Sequence, residues 1–254
     1  MLGHLPSALE GLRIAHLTDL HITRDRGRHR WIAQDLRALS LDLVLFTGDY
    51  MSDPGDEATA SRVMERVCGD LRPRLGMFGV FGNHDTPLMR RLLKDLPITW
   101  IHNGVETLSA AGIQVLGFDQ DCDREADPVL TAWALGKRPQ ATGSRPLRLL
   151  LCHRPIYLSV ASDMGVDLMF SGHTHGGQCR LPTGHALCNS SKLPLRLTSG
   201  ILRHRDTLCA VSRGLGEVTL PLRLFCPPHL PVYTLRPGPL EGQRTEAMEN
   251  VRKW

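Results

Sequence analysis

The chain has 254 residues, of which 42% are hydrophobic and 22% charged, with 30 Lys and Arg against 26 Asp and Glu. That balance suits an ordinary soluble globule with a sizeable core. The net charge of +4 favours an anionic ligand and is too small to argue for nucleic acid by itself. Seven cysteines with no CxxC pair suggest free thiols in a reducing compartment, so a cytoplasmic location is expected, with peripheral membrane contact left open. No signal-peptide pattern opens the chain, and no run of 18 apolar residues occurs in it.

Short apolar runs ending in Gly, Asp, Asn or His recur along the chain. "LRIAHLTD" (12–19), "LDLVLFTGD" (41–49), "MFGVFGNHD" (77–85), "IQVLGFD" (113–119), "LRLLLCH" (147–153) and "DLMFSGHTH" (167–175) read as strands covered on both faces. Helical patterns lie between them at roughly 29–39, 57–71, 87–95 and 155–163, the third with Thr86 as N-cap and Pro87 in its first turn. Asn103-Gly104 predicts a tight hairpin joining "ITWI" to "VETL". "TLCAVSR" (207–213), "EVTLPLRLF" (217–225) and "PVYTL" (231–235) read as further strands without intervening helices. The expected fold is α/β (α+β by some schemes): two mixed sheets packed as a sandwich, flanked by helices. A lead-in at 1–11, one domain at 12–235 and a loose polar tail at 236–254 complete the expected layout.

Each apolar run delivers polar groups at its carboxyl end, where open α/β sheets place ligands. Asp19 and His21 stand two apart, as do His173 and His175; Asp49 follows Gly48, Asn83-His84-Asp85 follow Gly82, and His153 ends its run. In extended chain an i, i+2 pair points to one side. A single DxH is usually a turn with a satisfied histidine, but five clusters at five strand ends converge on one reading. Carboxylate, amide and imidazole donors together suit Mn, Fe or Zn better than Ca or Mg. The set is rich enough for two ions, with Asp49 as the bridging carboxylate.

In this order, D19-x-H21, G48-D49, G82-N83-H84-D85, H153 and G172-H173-x-H175 resemble the calcineurin-like metallophosphoesterases over about 12–235. "HTHGGQ", "SRGLG" and "PLRLFCPP" are similar to the small bacterial branch, which includes UDP-2,3-diacylglucosamine pyrophosphatases and broad phosphodiesterases. The resemblance implies one metal on Asp19, His21, Asp49 and His175 and a second on Asp49, Asn83, His153 and His173. Two divalent ions, manganese first and iron or zinc as alternatives, would activate a shared water and neutralise phosphoryl oxygens. His84 would assist the leaving group. The implied activity is hydrolysis of phosphodiesters or pyrophosphate-linked substrates, some of them lipid-linked. The alternatives are a catalytically silent protein-binding scaffold of the same fold, a nuclease or a phosphomonoesterase.

The sequence departs from the phosphoprotein phosphatases of that family. Ser52 stands where they carry the acid that orients the catalytic histidine, and Phe81 where they carry arginine. Arg26 and Arg28, in the basic stretch after the first ligands, are candidates for gripping a second phosphate. Gly176, Gly177 and Gln178 are candidate substrate contacts. "DQDCD" (119–123) alternates acids like a calcium loop, but Arg124 holds the position that needs glycine.

Overall fold

The apolar runs become strands and sort into two sheets in the computed structural model, which describes Leu2 and residues 5–119, 145–189 and 191–244. In the first sheet β1 (Arg13–Leu17), β2 (Leu43–Thr47), β3 (Met77–Val80) and β4 (Thr99–Trp100) run parallel, and β11 (Val232–Thr234) lies antiparallel against β1. The second sheet takes β5 (Gly104–Leu108), β6 (Ile113–Phe118), β7 (Leu147–Cys152), β8 (Leu168–Ser171), β9 (Gly200–His204), β10 (Thr207–Val211) and β12 (Gln243–Arg244). Its spatial order is β12-β9-β10-β8-β7-β6-β5, with β6, β7, β8 and β10 parallel. The fold is α/β, two mixed sheets flanked by helices.

Alternation along each strand explains why both faces are apolar. Leu43 and Leu45 of β2 join Leu149 and Leu151 of β7 in the layer between the sheets. Val44 and Phe46 point the other way, under α1 (Gly27–Ala38), α2 (Glu57–Cys68) and α3 (Pro87–Leu93). Leu150 and Cys152 face α4 (Leu158–Asp163) on the far side of the second sheet. Each fully buried aliphatic side chain contributes roughly 1.5–3 kcal/mol, so the strands are held from both sides. As the sequence predicts, α3 starts at Pro87, and the Thr86 hydroxyl accepts the amide of Met89 at 3.1 Å.

The structure differs from the sequence reading in three places. Asn103-Gly104 closes no hairpin: β4 pairs with β3 in one sheet, whereas β5 pairs with β6 in the other. Ile101, buried between the sheets, carries the crossing, and its side chain fills the space left by Gly117. Residues 217–225 form a loop with a single bridge, Leu224 to Cys179, because the side chain of Gln178 bonds its backbone at Val218 and Leu220 in place of a neighbouring strand, while Arg223 ties it to the carbonyls of Gly216 and Arg213. Within the segment expected to be loose, Gln243 and Arg244 pair with Leu202 and Arg203 of β9. Of "DQDCD", only Asp119 falls within the described residues.

Candidate metal centre

The carboxyl ends of β1, β2, β3, β7 and β8 meet along one edge of the sandwich, and the bonds there run between sheets as well as within them. The amides of Asp19 and His21 donate to the carbonyls of Gly48 and Asp49, so the loops after β1 and β2 continue side by side. The amide of His173, beyond β8, donates to the Asp19 carboxylate at 3.0 and 3.1 Å. The ring of His153 reaches across from the second sheet to the Thr47 carbonyl of the first, 2.7 Å away.

These bonds fix ring orientation. The Thr47 carbonyl can only accept, so His153 carries its proton on Nδ1 and turns Nε2 toward Asp49 Oδ2, 3.0 Å away. His84 likewise donates from Nδ1 to the Ser52 carbonyl at 2.7 Å. The main-chain carbonyl of Ser52 thus orients His84, and no acidic side chain is needed for it. Orientation through the far nitrogen is how metal-site histidines are commonly held.

Three donor groups result, each with its ligand atoms within 4.8 Å of one another: Asp19, His21 and His175; Asp49, His153 and His173; and His21, Asp49 and His84. Asn83 lies in the same loop as His84, with its Oδ1 buried. His21 Nε2 is buried without a hydrogen-bond partner, 3.5 Å from Asp49 Oδ2. An orphaned buried nitrogen beside carboxylates suits a cation, so the donor set fits the divalent ions the sequence implies.

Burial opposes the charge of Asp49, yet His153 and His21 hold its carboxyl well below the ordinary carboxylate range. Burial also opposes a charged His153, but Asp49 and Asp19 raise it to about 9. His173 goes the other way, lowered to about 3 by burial and then by His153. His175 is lowered to about 4, again chiefly by burial. A neutral imidazole is the form that ligates, so His173 and His175 are ready to do so, whereas a cation would have to displace the Nε2 proton that His153 shares with Asp49.

The backbone is strained where these residues sit. Asp19, His21, Asp49, His173 and His175 all have positive φ, between 43° and 67°. Left-handed conformations in non-glycine residues cost energy and cluster at functional sites. Gly82 and Gly172 are required for a different reason: a Cβ on either would collide with the carboxylate of Asp49 or Asp19.

Asp85 ties two of the loops together. Its carboxylate accepts the amides of Asp49, Tyr50 and Gly82, each at 2.8 Å. Burial and the charge of Asp49 push Asp85 up to about 7, while the three amides pull it down. Asp85→Ala would orphan three buried donors at about 1–3 kcal/mol each. Urea denaturation should therefore show a loss of roughly 3 kcal/mol or more; a midpoint unchanged from wild type would mean the amides had found other acceptors.

A cleft of about 290 Å³ opens beside the donors, lined by His21, His84, Ser52, Arg26, Glu217 and Leu220 among others. Arg26 faces it, 3.0 Å from Glu217. Arg28, expected beside it as a substrate contact, instead bonds both Glu217 oxygens. Gln178 also differs from expectation: its amide nitrogen donates to Val218 and Leu220 carbonyls, and its oxygen accepts the Val218 amide. It buttresses the cleft wall. Gly176 and Gly177 are buried below it, where an added Cβ would strike Arg213 or Ala186. Sequence reasoning missed Glu217, although it is the lone acid between Asp206 and Glu241 in an otherwise basic stretch.

Residues 12–177 match the calcineurin-like phosphoesterase family, and the chain belongs to it. It is 32% identical to the phosphodiesterase YaeI of Escherichia coli over 88% of this chain and 82% of that protein. It is 25% identical to the UDP-2,3-diacylglucosamine pyrophosphatase LpxG of Chlamydia muridarum, over 87% of this chain and 83% of that one. Among solved structures, the NAD nucleotidase of Haemophilus influenzae superposes with a TM-score of 0.51 at 12% identity, covering 80% of this chain and 45% of that one, a likeness of fold. Members of this family typically bind divalent metals, and the clustered donors here accord with that. Among the described residues no helix is long and apolar enough to cross a membrane.

Proposed function

We propose that this protein hydrolyses phosphodiester or pyrophosphate-linked substrates with two divalent cations, manganese first among them. Asp19, His21, Asp49 and His175 would hold one ion, and Asp49, Asn83, His153 and His173 the other. The observation that carries this reading is the sharing of Asp49 and His21 between donor groups whose atoms lie within 4.8 Å. Bound there, the ions would supply an activated water and neutralise phosphoryl oxygens. The chain's own residues do the rest. His153 keeps Nε2 turned inward through its bond to Thr47. His84, held by Ser52 and lining the cleft, presents its free edge to the leaving oxygen as a proton donor. Arg26, at the mouth, offers a cation to a second phosphate, with Glu217 setting its position.

The names of two relatives, a phosphodiesterase and a pyrophosphatase acting on a nucleotide-linked lipid, support this choice of substrates. The test is a panel of monoesters, diesters and nucleotide–lipid pyrophosphates, assayed with Mn, Fe and Zn in turn. Metal-dependent turnover of diesters or pyrophosphates above monoesters is expected. Preference for monoesters, or turnover indifferent to chelation, would overturn the reading.

A further inference from the structure

The wall of the cleft that carries Leu220 continues outward as a ridge of uncovered leucines. Leu220, Leu222, Leu224 and Phe225 are 43–59% exposed. Between them Arg223 turns inward, its guanidinium bonded to the carbonyls of Gly216 and Arg213. Alternation along extended chain leaves Leu222 and Leu224 on the outer side. Leu224 bridges Cys179, whose carbonyl accepts the amide of Leu187 across a small hairpin closed by Arg180 and Ala186. Opposed residues in paired strands share a face. Arg180 points inward to Ser199 and the Gly176 carbonyl, so Leu181 and Leu187, 44% and 54% exposed, belong with Leu224 on the outer face. Of the ten exposed large hydrophobic side chains among the described residues, seven fall between Leu181 and Phe225.

This face is tied down by side-chain hydrogen bonds. Arg26 and Arg28 grip Glu217 at one end of the loop, Gln178 bonds its Val218 and Leu220 backbone, and Arg223 anchors its middle. A fixed, uncovered apolar ridge calls for an apolar partner. Charge says which kind. From Leu168 to Leu240 the sequence holds eight Lys and Arg against two acids, Asp206 and Glu217; of the eight, Arg180 and Arg223 turn inward, and Lys192, Arg196, Arg205 and Arg236 are exposed. The chain as a whole has 30 against 26, so its positive excess lies in this stretch. Exposed Lys192 and Arg196 follow the hairpin in sequence, on the segment whose Ser199 holds Arg180.

We propose that the Leu220–Phe225 ridge and the Leu181–Leu187 hairpin dock the protein on an anionic lipid bilayer, presenting the candidate metal cleft to phosphoesters in its headgroup layer. Apolar insertion combined with attraction to anionic lipid is the usual physics of such docking. The choice of a phosphoester as what the cleft receives rests on the function proposed above; the docking itself is read without turnover.

The full chain should sediment with vesicles of phosphatidylglycerol and phosphatidylcholine, and far less with phosphatidylcholine alone. Leu222→Ser/Leu224→Ser/Phe225→Ser should weaken binding to the anionic vesicles about tenfold or more, given the apolar area removed. Circular dichroism should show an unchanged melting transition. If that variant fails to fold, Leu181→Ser/Leu187→Ser tests the same face from the hairpin. Wild-type protein left in the supernatant at low salt would overturn the proposal, as would variants that bind equally well. A dimer in sedimentation velocity that the same substitutions abolish would overturn it too, by giving the face to a second copy. Loss of hydrolytic activity in the substrate panel, with vesicle binding intact, would defeat the proposed function and leave the docking standing.

Discussion

Asp49→Asn should cost the protein both its ions and its turnover. Oδ2 of Asp49 lies 3.0 Å from His153 Nε2 and 3.5 Å from His21 Nε2, and Oδ1 accepts the amide of His84 at 2.9 Å. No other carboxylate belongs to two of the three donor groups. Asparagine preserves the shape but removes a charge and leaves one oxygen where two worked. Losing only an outer partner of a metal ligand typically costs 10- to 100-fold in affinity, so a shared ligand should cost more than about 100-fold. Metal analysis of the purified variant, set beside turnover of bis-p-nitrophenyl phosphate, reads both effects. Two ions retained at wild-type affinity would remove Asp49 from the bridging role.

His84→Ala should behave in the opposite way, keeping the ions and losing rate. His84 is half-buried at the cleft, tethered through Nδ1 to the Ser52 carbonyl, and its amide alone touches Asp49. General acid assistance is worth about 100- to 10,000-fold, and kcat should fall within that range while metal content holds. The loss should be smaller for substrates with good leaving groups, which need little protonation. Geometry leaves a sharp alternative, because His84 also falls within 4.8 Å of His21 and Asp49. A variant that lost an ion would make His84 a ligand and return the leaving-group role to another residue.

The strands and helices that hold the site were legible because their signals are local. Apolar runs such as "LVLFT" and "LRLLLC" sit between sheets and under helices, and the polar residues closing them stand at their carboxyl ends. The convergence of Asp19, Asp49, His153 and His173 follows once β1 and β2 lie parallel in one sheet, β7 and β8 in the other, and the two sheets pack face to face. The Asn103-Gly104 turn misled because a favourable dipeptide fixes a bend and says nothing of which sheet receives each arm; burial of Ile101 decided that. The 217–225 stretch misled for a related reason. It has strand-like composition, but Gln178, some forty residues earlier in sequence, occupies its backbone. Arg28 and Glu217 are 189 residues apart, and no spacing in the chain announces their pairing.

The bonds that join His173 to Asp19 and His153 to Thr47 stitch one layer of the sandwich to the other at the working edge. Neither layer alone owns a complete set of the proposed ligands. Turnover by the proposed route would therefore gauge the alignment of the two halves: a slippage between layers too slight to disturb any strand would still pull the donors out of register.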